Sequence, residues 1–331
     1  MLVPWWKFHM ICILIVVLEG KKLTKEENEK RLEQCGKIIK SKVYNGRNTN
    51  EKEAPWVVRL ATPSARCSAT LISPRHVMTA THCVSKENNI EYKNNSIGYK
   101  FDREKACKKS KDIVITEVLA SKVTVSSEGK TIGRAKYMVW FNYCYISKEA
   151  YHRDYPVDFM IVELSEDVEY SPTLHPACVA QNITDHSPGT VLDFYGFGRD
   201  YTRPGEDHLR HEKTKVIEKT KDVRDKGLDK HVFYTSSVTQ KTTACFGDSG
   251  GGAVRKIDGR VTVMGALMRI GSEECTPIVR GQGATEIHAS AGFYAERICK
   301  YTGICTPPRS SARNAIVSVI ALVFIWRLIN V

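Results

Sequence analysis

Three separated residues hold most of the chemistry available to this chain. Ser249 sits in Ala244-Cys245-Phe246-Gly247-Asp248-Ser249-Gly250-Gly251-Gly252. Glycine beside a serine lets the backbone take angles other residues resist and brings N–H groups close to a ligand. A serine hydroxyl is a weak nucleophile, so it needs a base, and the base needs a carboxylate to fix its tautomer. Val77-Met78-Thr79-Ala80-Thr81-His82-Cys83 supplies a histidine just after a short apolar run. Pro156-Val157-Asp158-Phe159-Met160-Ile161-Val162-Glu163-Leu164 supplies an aspartate at the entry of an alternating, strand-like segment. A glycine-rich loop is often a plain turn and a lone histidine is usually structural. The chemical reading therefore rests on all three motifs together.

Their chain order is His, Asp, Ser, which resembles the chymotrypsin-like serine proteases of the S1 family and not subtilisin or the α/β-hydrolases. The resemblance covers roughly residues 35–301. It implies that Ser249 attacks a scissile carbonyl, His82 takes and returns the proton, and Asp158 orients the imidazole. The N–H groups of Gly247 and Ser249 would hold the oxyanion. The expected partner is a protein or peptide substrate, with no cofactor and no metal.

Such distant residues need a scaffold that folds them together. Short runs of Gly, Thr, Val and Ile between polar turns, with few long helical periodicities, predict an all-β body. The resemblance makes this a chymotrypsin-like protease domain over residues 43–302, built from two Greek-key six-stranded β-barrels at about 43–168 and 186–290. Leu192-Asp193-Phe194-Tyr195-Gly196-Phe197-Gly198 resembles the strand that opens the second barrel, with Phe197 in place of the usual tryptophan. Residues 169–190 read as the linker between barrels, and Ala291 to Tyr301 as an amphipathic C-terminal helix.

At the start, Lys7 precedes the apolar run Met10 to Leu18 and Gly20 closes it. That pattern predicts a secretory leader over residues 1–20, too short for a spanning helix. Residues 21–42 are charged and helix-prone and end in Lys40-Ser41-Lys42, which predicts a propeptide. Val43-Tyr44-Asn45-Gly46 resembles the family's activation junction. Cutting after Lys42, by another protease, would free the amino group of Val43, and the resemblance implies that this ammonium turns inward and pairs with Asp248, a buried carboxylate without a partner being costly. Lys37-Ile38-Ile39 is a rival junction, but Asn45-Gly46 favours Val43. The Lys/Glu-rich lead from Leu23 into Cys35 is similar to a divergent nematode trypsin-like group.

Secretion licenses disulfides. Of 11 cysteines, Cys12 leaves with the leader and ten remain. The resemblance implies bridges Cys67–Cys83, Cys245–Cys275 and Cys35–Cys178, the last keeping the propeptide attached. Cys107, Cys144, Cys299 and Cys305 remain, and we pair 107 with 144 and 299 with 305, although sequence alone does not fix connectivity. No short CxxC pairs accompany them, so a zinc site is a poor reading. Asn94 and Asn182 begin sequons for N-glycans on a secreted chain.

Specificity departs from the trypsin pattern. Thr243, six residues before the nucleophile, takes the pocket-base position where trypsin-like enzymes carry aspartate. A neutral base offers no charge for Lys or Arg. Arg269-Ile270-Gly271 stands where the family usually has Ser-Trp-Gly, and Thr81 stands where alanine precedes the histidine. These departures motivate a second reading, a catalytically inactive homologue acting as a binding or regulatory module, against which the intact His82, Asp158 and Ser249 argue.

The formal charge of +12 does not imply a nucleic-acid partner. The basic residues are spread over surface-like stretches mixed with acids, without the aromatic interleaving that single-strand binding uses. Residues 306–331 form a tail whose apolar run Ala315 to Trp326 is interrupted by Arg327. About 20 apolar residues cross a bilayer comfortably. Residues 315–331 therefore either span with Arg327 at the interface, give way to a lipid anchor near Ser310-Ser311-Ala312, or hang free. The expected location is secreted, extracellular or tethered at the cell surface. A membrane-attached structural or adhesion protein is a third reading, resting on this tail alone.

Overall fold

The computed structural model describes residues 20–37, 52–63, 65–84, 112–116, 120–142, 158–199, 208–218, 230–239, 242–270 and 284–306. Their strands form two sheets, each curled back on itself. The first contains β1 (Val57–Ala61), β2 (Arg66–Leu71), β3 (His76–Thr79), β4 (Ile113–Thr116), β5 (Thr124–Ser127), β6 (Lys130–Trp140) and β7 (Met160–Leu164). Antiparallel pairing runs β1-β2-β3-β7-β6-β5 and returns from β5 to β1, closing six strands, while β4 adds to β6. The second contains β8 (Cys178–Val179), β9 (Val191–Gly196), β10 (Arg210–Ile217), β11 (Val232–Ser237), β12 (Gly252–Ile257), β13 (Arg260–Ile270) and β14 (Thr285–Ser290). It closes in the order β9-β10-β11-β14-β13-β12, with β8 lying parallel to β13 outside the ring. Two closed six-stranded antiparallel barrels are the chymotrypsin-like fold expected from the sequence. Closure pairs both sides of the six ring strands, so that in each sheet the unpaired edge passes to the short added strand, β4 or β8.

Alternate residues of these strands turn inward. Leu60, Leu71, Met138, Trp140 and Val162 fill the first barrel, and Phe194, Val263, Met264 and Ile287 belong to the larger core of the second. Leu71 is wholly buried, and truncating such a leucine to alanine costs about 2–5 kcal/mol. The strands of the first barrel fall between Val57 and Leu164 and those of the second between Val191 and Ser290.

Two helices frame the barrels among the described residues. Helix α1 (Lys25–Gln34) starts at a capping box in which Thr24 Oγ1 accepts from the Glu27 amide at 3.1 Å and Glu27 accepts from the Thr24 amide at 2.8 Å. Its last carbonyls are held by Arg260, whose Nη1 donates to the carbonyls of Leu32, Glu33 and Cys35 at 2.8, 2.9 and 3.1 Å. A guanidinium there also suits the negative end of the helix. The buried Arg75 pairs with Glu27 at 2.7 Å and Asp167 at 2.6 Å, Cys35 is bridged to Cys178, and Leu23 is buried with its amide donating to the Thr302 carbonyl at 2.8 Å. Residues 20–37 are thus packed onto the body along their whole described length. Helix α2 (Ala295–Thr302) follows a turn over residues 291–294 and stops at Gly303, φ 73°. A side chain at Gly303 would also run into the backbone of Leu23.

Docking of residues 20–37 also bears on β7. All five residues of this strand are buried, Ile161 in the larger core and Glu163, at 2% exposure, beneath the Lys21 amide. Cys299 is bridged to Cys305. Cys107, Cys144, Cys275, Asn94, the Lys42–Val43 junction, Gly271 and residues 315–331 lie outside the described residues. No helix among the described residues is long and apolar enough to cross a membrane.

Candidate active site

Strand register brings the histidine to the aspartate. β3 and β7 run antiparallel with Thr79 opposite Met160, so the residues just after Thr79 face those just before Met160. Thr81–Cys83 then turn as a single 3₁₀ loop, and Asp158 lies two residues ahead of the paired Met160. The His82 amide donates to Asp158 Oδ1 at 2.7 Å, and the ring Nδ1 makes a short contact with Oδ2. Both carboxylate oxygens are thereby committed to one histidine. Asp158 is buried, whereas the His82 side chain keeps 33% of its surface exposed, the asymmetry expected of an oriented base that meets a substrate.

The serine loop arrives from the second barrel and rests on the same corner. The Ser68 amide donates to the Ser249 carbonyl at 2.9 Å, and the Ser68 hydroxyl donates to the Gly247 carbonyl at 2.8 Å while accepting from the Phe197 amide at 2.8 Å. Cys83 Sγ lies 3.9 Å from the Ser249 carbonyl, and the Cys67–Cys83 bridge ties that residue back to β2. Gly250, φ 79°, is pressed so closely onto Thr79, Ser68 and Ala80 that a side chain would overlap all three. Glycine is required there for both the angle and the space. Segments carrying positions 82, 158 and 249 therefore meet at one place.

Around the turn Cys245–Asp248, Gly247 takes φ 103° and the Asp248 amide donates to the Cys245 carbonyl at 2.9 Å. Neither the Gly247 nor the Ser249 N–H donates a hydrogen bond among the described residues. Asp248 is buried, and its oxygens accept from the amides of Gly198 at 2.7 Å and Cys245 at 2.8 Å. Side chains at Gly196 or Gly198 would collide with this carboxylate. Burial pushes Asp248 up to about 6, against the lowering effect of the two amides. No cation of the described residues lies within ion-pairing distance of it.

Beside Gly247 an open cleft of about 1220 Å³ is bordered by Arg59, Cys67, Phe197, Arg199 and Phe246. Phe197, in place of the usual tryptophan, is buried under the Arg59 guanidinium, 3.9 Å above its ring, while Phe246 remains exposed. Thr243 carries a buried hydroxyl with no hydrogen-bond partner among the described residues. Arg269 and Ile270 end β13 and are half-buried. Cys245 is disulfide-bonded, its partner lying outside the described residues, and Asn182 is exposed. The sulfurs of Cys67 and Cys83 and a ring nitrogen of His82 lie within 4.8 Å of one another, a spacing that would suit a metal. The two sulfurs are bonded to each other, however, and offer no thiolate.

Glu286, to which sequence reasoning gave no role, braces the pocket side of this loop. It is fully buried in β14 and accepts from the Ala244 amide at 3.1 Å and the Thr235 hydroxyl at 2.8 Å, with His288 3.6 Å away. Burial opposes its charge, but these partners together hold it below the ordinary carboxylate range. Burial and the charge of Glu286 push Glu212 up to about 7. An acid in an inward-facing strand position was the one available signal.

The sequence matches the nematode trypsin-6-like family over residues 7–305. The chain belongs to that family. Among curated proteins, a venom serine protease of Polistes dominula is 27% identical over 192 residues, covering 57% of this chain and 59% of the relative. Transmembrane protease serine 11C of Mus musculus is 24% identical over 277 residues, 80% of this chain and 54% of the relative. The chain thus spans little more than half the length of these relatives. Membership agrees with the nematode-like character of the Leu23–Cys35 lead.

Proposed function

We propose that this family member is a secreted or surface-tethered serine endopeptidase made as a zymogen. The observation that carries the reading is the double engagement of Asp158 by the main chain and ring of His82, with the Ser249 loop seated on the same turn. Relatives named as serine proteases support the reaction class.

As the resemblance implies, Ser249 Oγ attacks the substrate carbonyl while His82 Nε2 accepts its proton. Asp158 keeps the other ring nitrogen in place and stabilises the imidazolium. The Gly247 and Ser249 N–H groups, uncommitted among the described residues, point to the oxyanion role; each such donor is worth roughly 3–4 kcal/mol. Protonated His82 then delivers its proton to the leaving amine, and water hydrolyses the acyl-enzyme by the same steps in reverse. The cleft beside Gly247 gives the chain of a protein or peptide substrate a place to lie. Thr243, Arg269, Ile270 and Gly271 form the pocket in this reading, and its neutral base disfavours Lys or Arg at the cleaved position.

Activation acts through Asp248. Cleavage after Lys42 by another protease supplies the Val43 ammonium to a carboxylate that burial pushes up to about 6 and whose hydrogen bonds, among the described residues, come from two backbone amides. N-glycans at Asn94 and Asn182 and membrane attachment through residues 315–331 belong to the same extracellular setting. The test is a fluorophosphonate probe on the secreted chain. Labelling that follows cleavage at Lys42 and disappears in Ser249→Ala supports the enzyme; a folded, cleaved chain that neither labels nor hydrolyses peptides is a binding module instead.

A further inference from the structure

A second buried carboxylate lies far from this chemistry. Glu163, in β7, is 2% exposed. Its Oε1 accepts from the main-chain nitrogen of Lys21 at 2.8 Å. Its Oε2 is buried and has no hydrogen-bond partner among the described residues. The His76 ring, also buried, stops 3.9 Å short of Oε2, and its Nε2 is likewise unpartnered. The other side of His76 is already engaged by the Ser73 hydroxyl at 2.8 Å, and burial drives the imidazole down to about 3, so it cannot serve as a cation here. Gly20 fills the remaining space, lying against Oε2 and the Tyr137 ring so closely that any side chain at residue 20 would overlap the oxygen. Burial raises the Glu163 carboxyl above its ordinary range, and the Lys21 amide and the more distant charges of Lys136, Arg75 and Lys21 only partly offset this. Half of a buried carboxylate is left without a donor, an arrangement that is costly unless a cation in direct contact completes it.

Gly20 is also the small residue that closes the leader pattern. We infer that hydrolysis of the Gly20–Lys21 bond turns the Lys21 nitrogen, already in place, into a directly bonded counter-ion, so that Glu163 is a dedicated seat for the mature N-terminus. In this step water's oxygen joins the Gly20 carbonyl carbon, the C–N bond breaks, and the Lys21 nitrogen leaves as an amine that is protonated at neutral pH. Loss of Gly20 uncovers Oε2, and an ammonium, with more than one N–H, can serve both oxygens. The hydrogen bond of the seat is made by the main chain of residue 21, with the Lys21 side-chain charge adding to it from further away, and any residue left in front of it restores the crowding against Oε2. This inference rests on reading residues 1–20 as a removed leader and not on the protease chemistry.

The test uses the full chain secreted from eukaryotic cells. Its N-terminus is sequenced, and the α-amine is then carbamylated with cyanate in native and in urea-unfolded protein, with the exposed Lys30 ε-amine as internal reference. Only the neutral amine reacts, so pairing that raises its pKa by one unit slows it about tenfold. The expected result is a start at Lys21, an α-amine at least about tenfold slower when folded, and recovery of the unfolded rate in Glu163→Gln that is still folded by circular dichroism. If that variant does not fold, the native-to-unfolded ratio in the wild-type protein decides alone. A chain starting at Met1 overturns both the leader and the seat. A start at Lys21 with an equally reactive α-amine, native or unfolded, overturns the seat only.

Discussion

The two barrels close in the same way but hold their shares of the site differently. In the first, His82 and Asp158 are held by the β3–β7 register, the Cys67–Cys83 bridge and two contacts between them. In the second, Ser249 rides on a turn of glycines braced by a buried Asp248 that has amide donors but, among the described residues, no cation within ion-pairing distance, the Arg210 charge acting on it only from further away. In the proposed reading the acid–base half is assembled as folded, while the nucleophile half still lacks a directly paired charge at Asp248. The proposed switch at Asp248 would then act on one barrel and leave the other alone.

The largest effects separate residues that do chemistry from those that hold them. With peptide-ester hydrolysis as readout, Ser249→Ala is expected to lower kcat by about 10⁶ and Asp158→Asn by about 10⁴, each without loss of fold. Equal, small losses would show that the halves do not act together. Next comes Gly250→Ala, where the new Cβ strikes Thr79, Ser68 and Ala80, so the second-barrel loop shifts from the first-barrel corner. Misplacement of about 1 Å costs on the order of 100-fold in rate. Gly259, at a similar φ of 76° but with open space around it, is the control. Its alanine variant pays only the left-handed strain, about 1–2 kcal/mol in thermal stability, and keeps full activity.

The asymmetry also has a pH signature. Asp248 rises from 3.8 to about 6 on folding, so between those values the folded state binds more protons and stability falls as pH rises. We expect urea denaturation of the uncleaved chain to lose about 2–3 kcal/mol from this group between about pH 4 and 6. Asp248→Asn, and cleavage at Lys42, should each remove that slope. The smallest effect falls outside both halves: Arg260→Ala deprives α1 of its C-terminal donor and is expected to cost about 1–2 kcal/mol by thermal melting, with activity unchanged.

What was legible in the sequence follows from how local each signal is. The glycines flanking Ser249 and the apolar run before His82 are short-range features whose steric reasons reappear in the fold. The barrels were legible from short strands and spacing. Residues 21–37 were readable as helix-prone but not as docked, because what holds them is Arg75, Arg260, Thr302 and Cys178, all remote in sequence. The same gap hid Glu163, whose partner is the Lys21 main chain, 142 residues away. Glu286 was missed because its partners come from three other segments of the second half.

The central claim is that positions 82, 158 and 249 form one working site whose nucleophile half awaits charge at Asp248. Active-site titration by the burst of an acylating ester, on equal amounts of chain before and after cleavage at Lys42, tests it most directly. The account predicts no burst before cleavage and a burst approaching one equivalent afterwards, abolished by Ser249→Ala. A burst of equal size in both forms, or none in either while the chain remains folded, would contradict it.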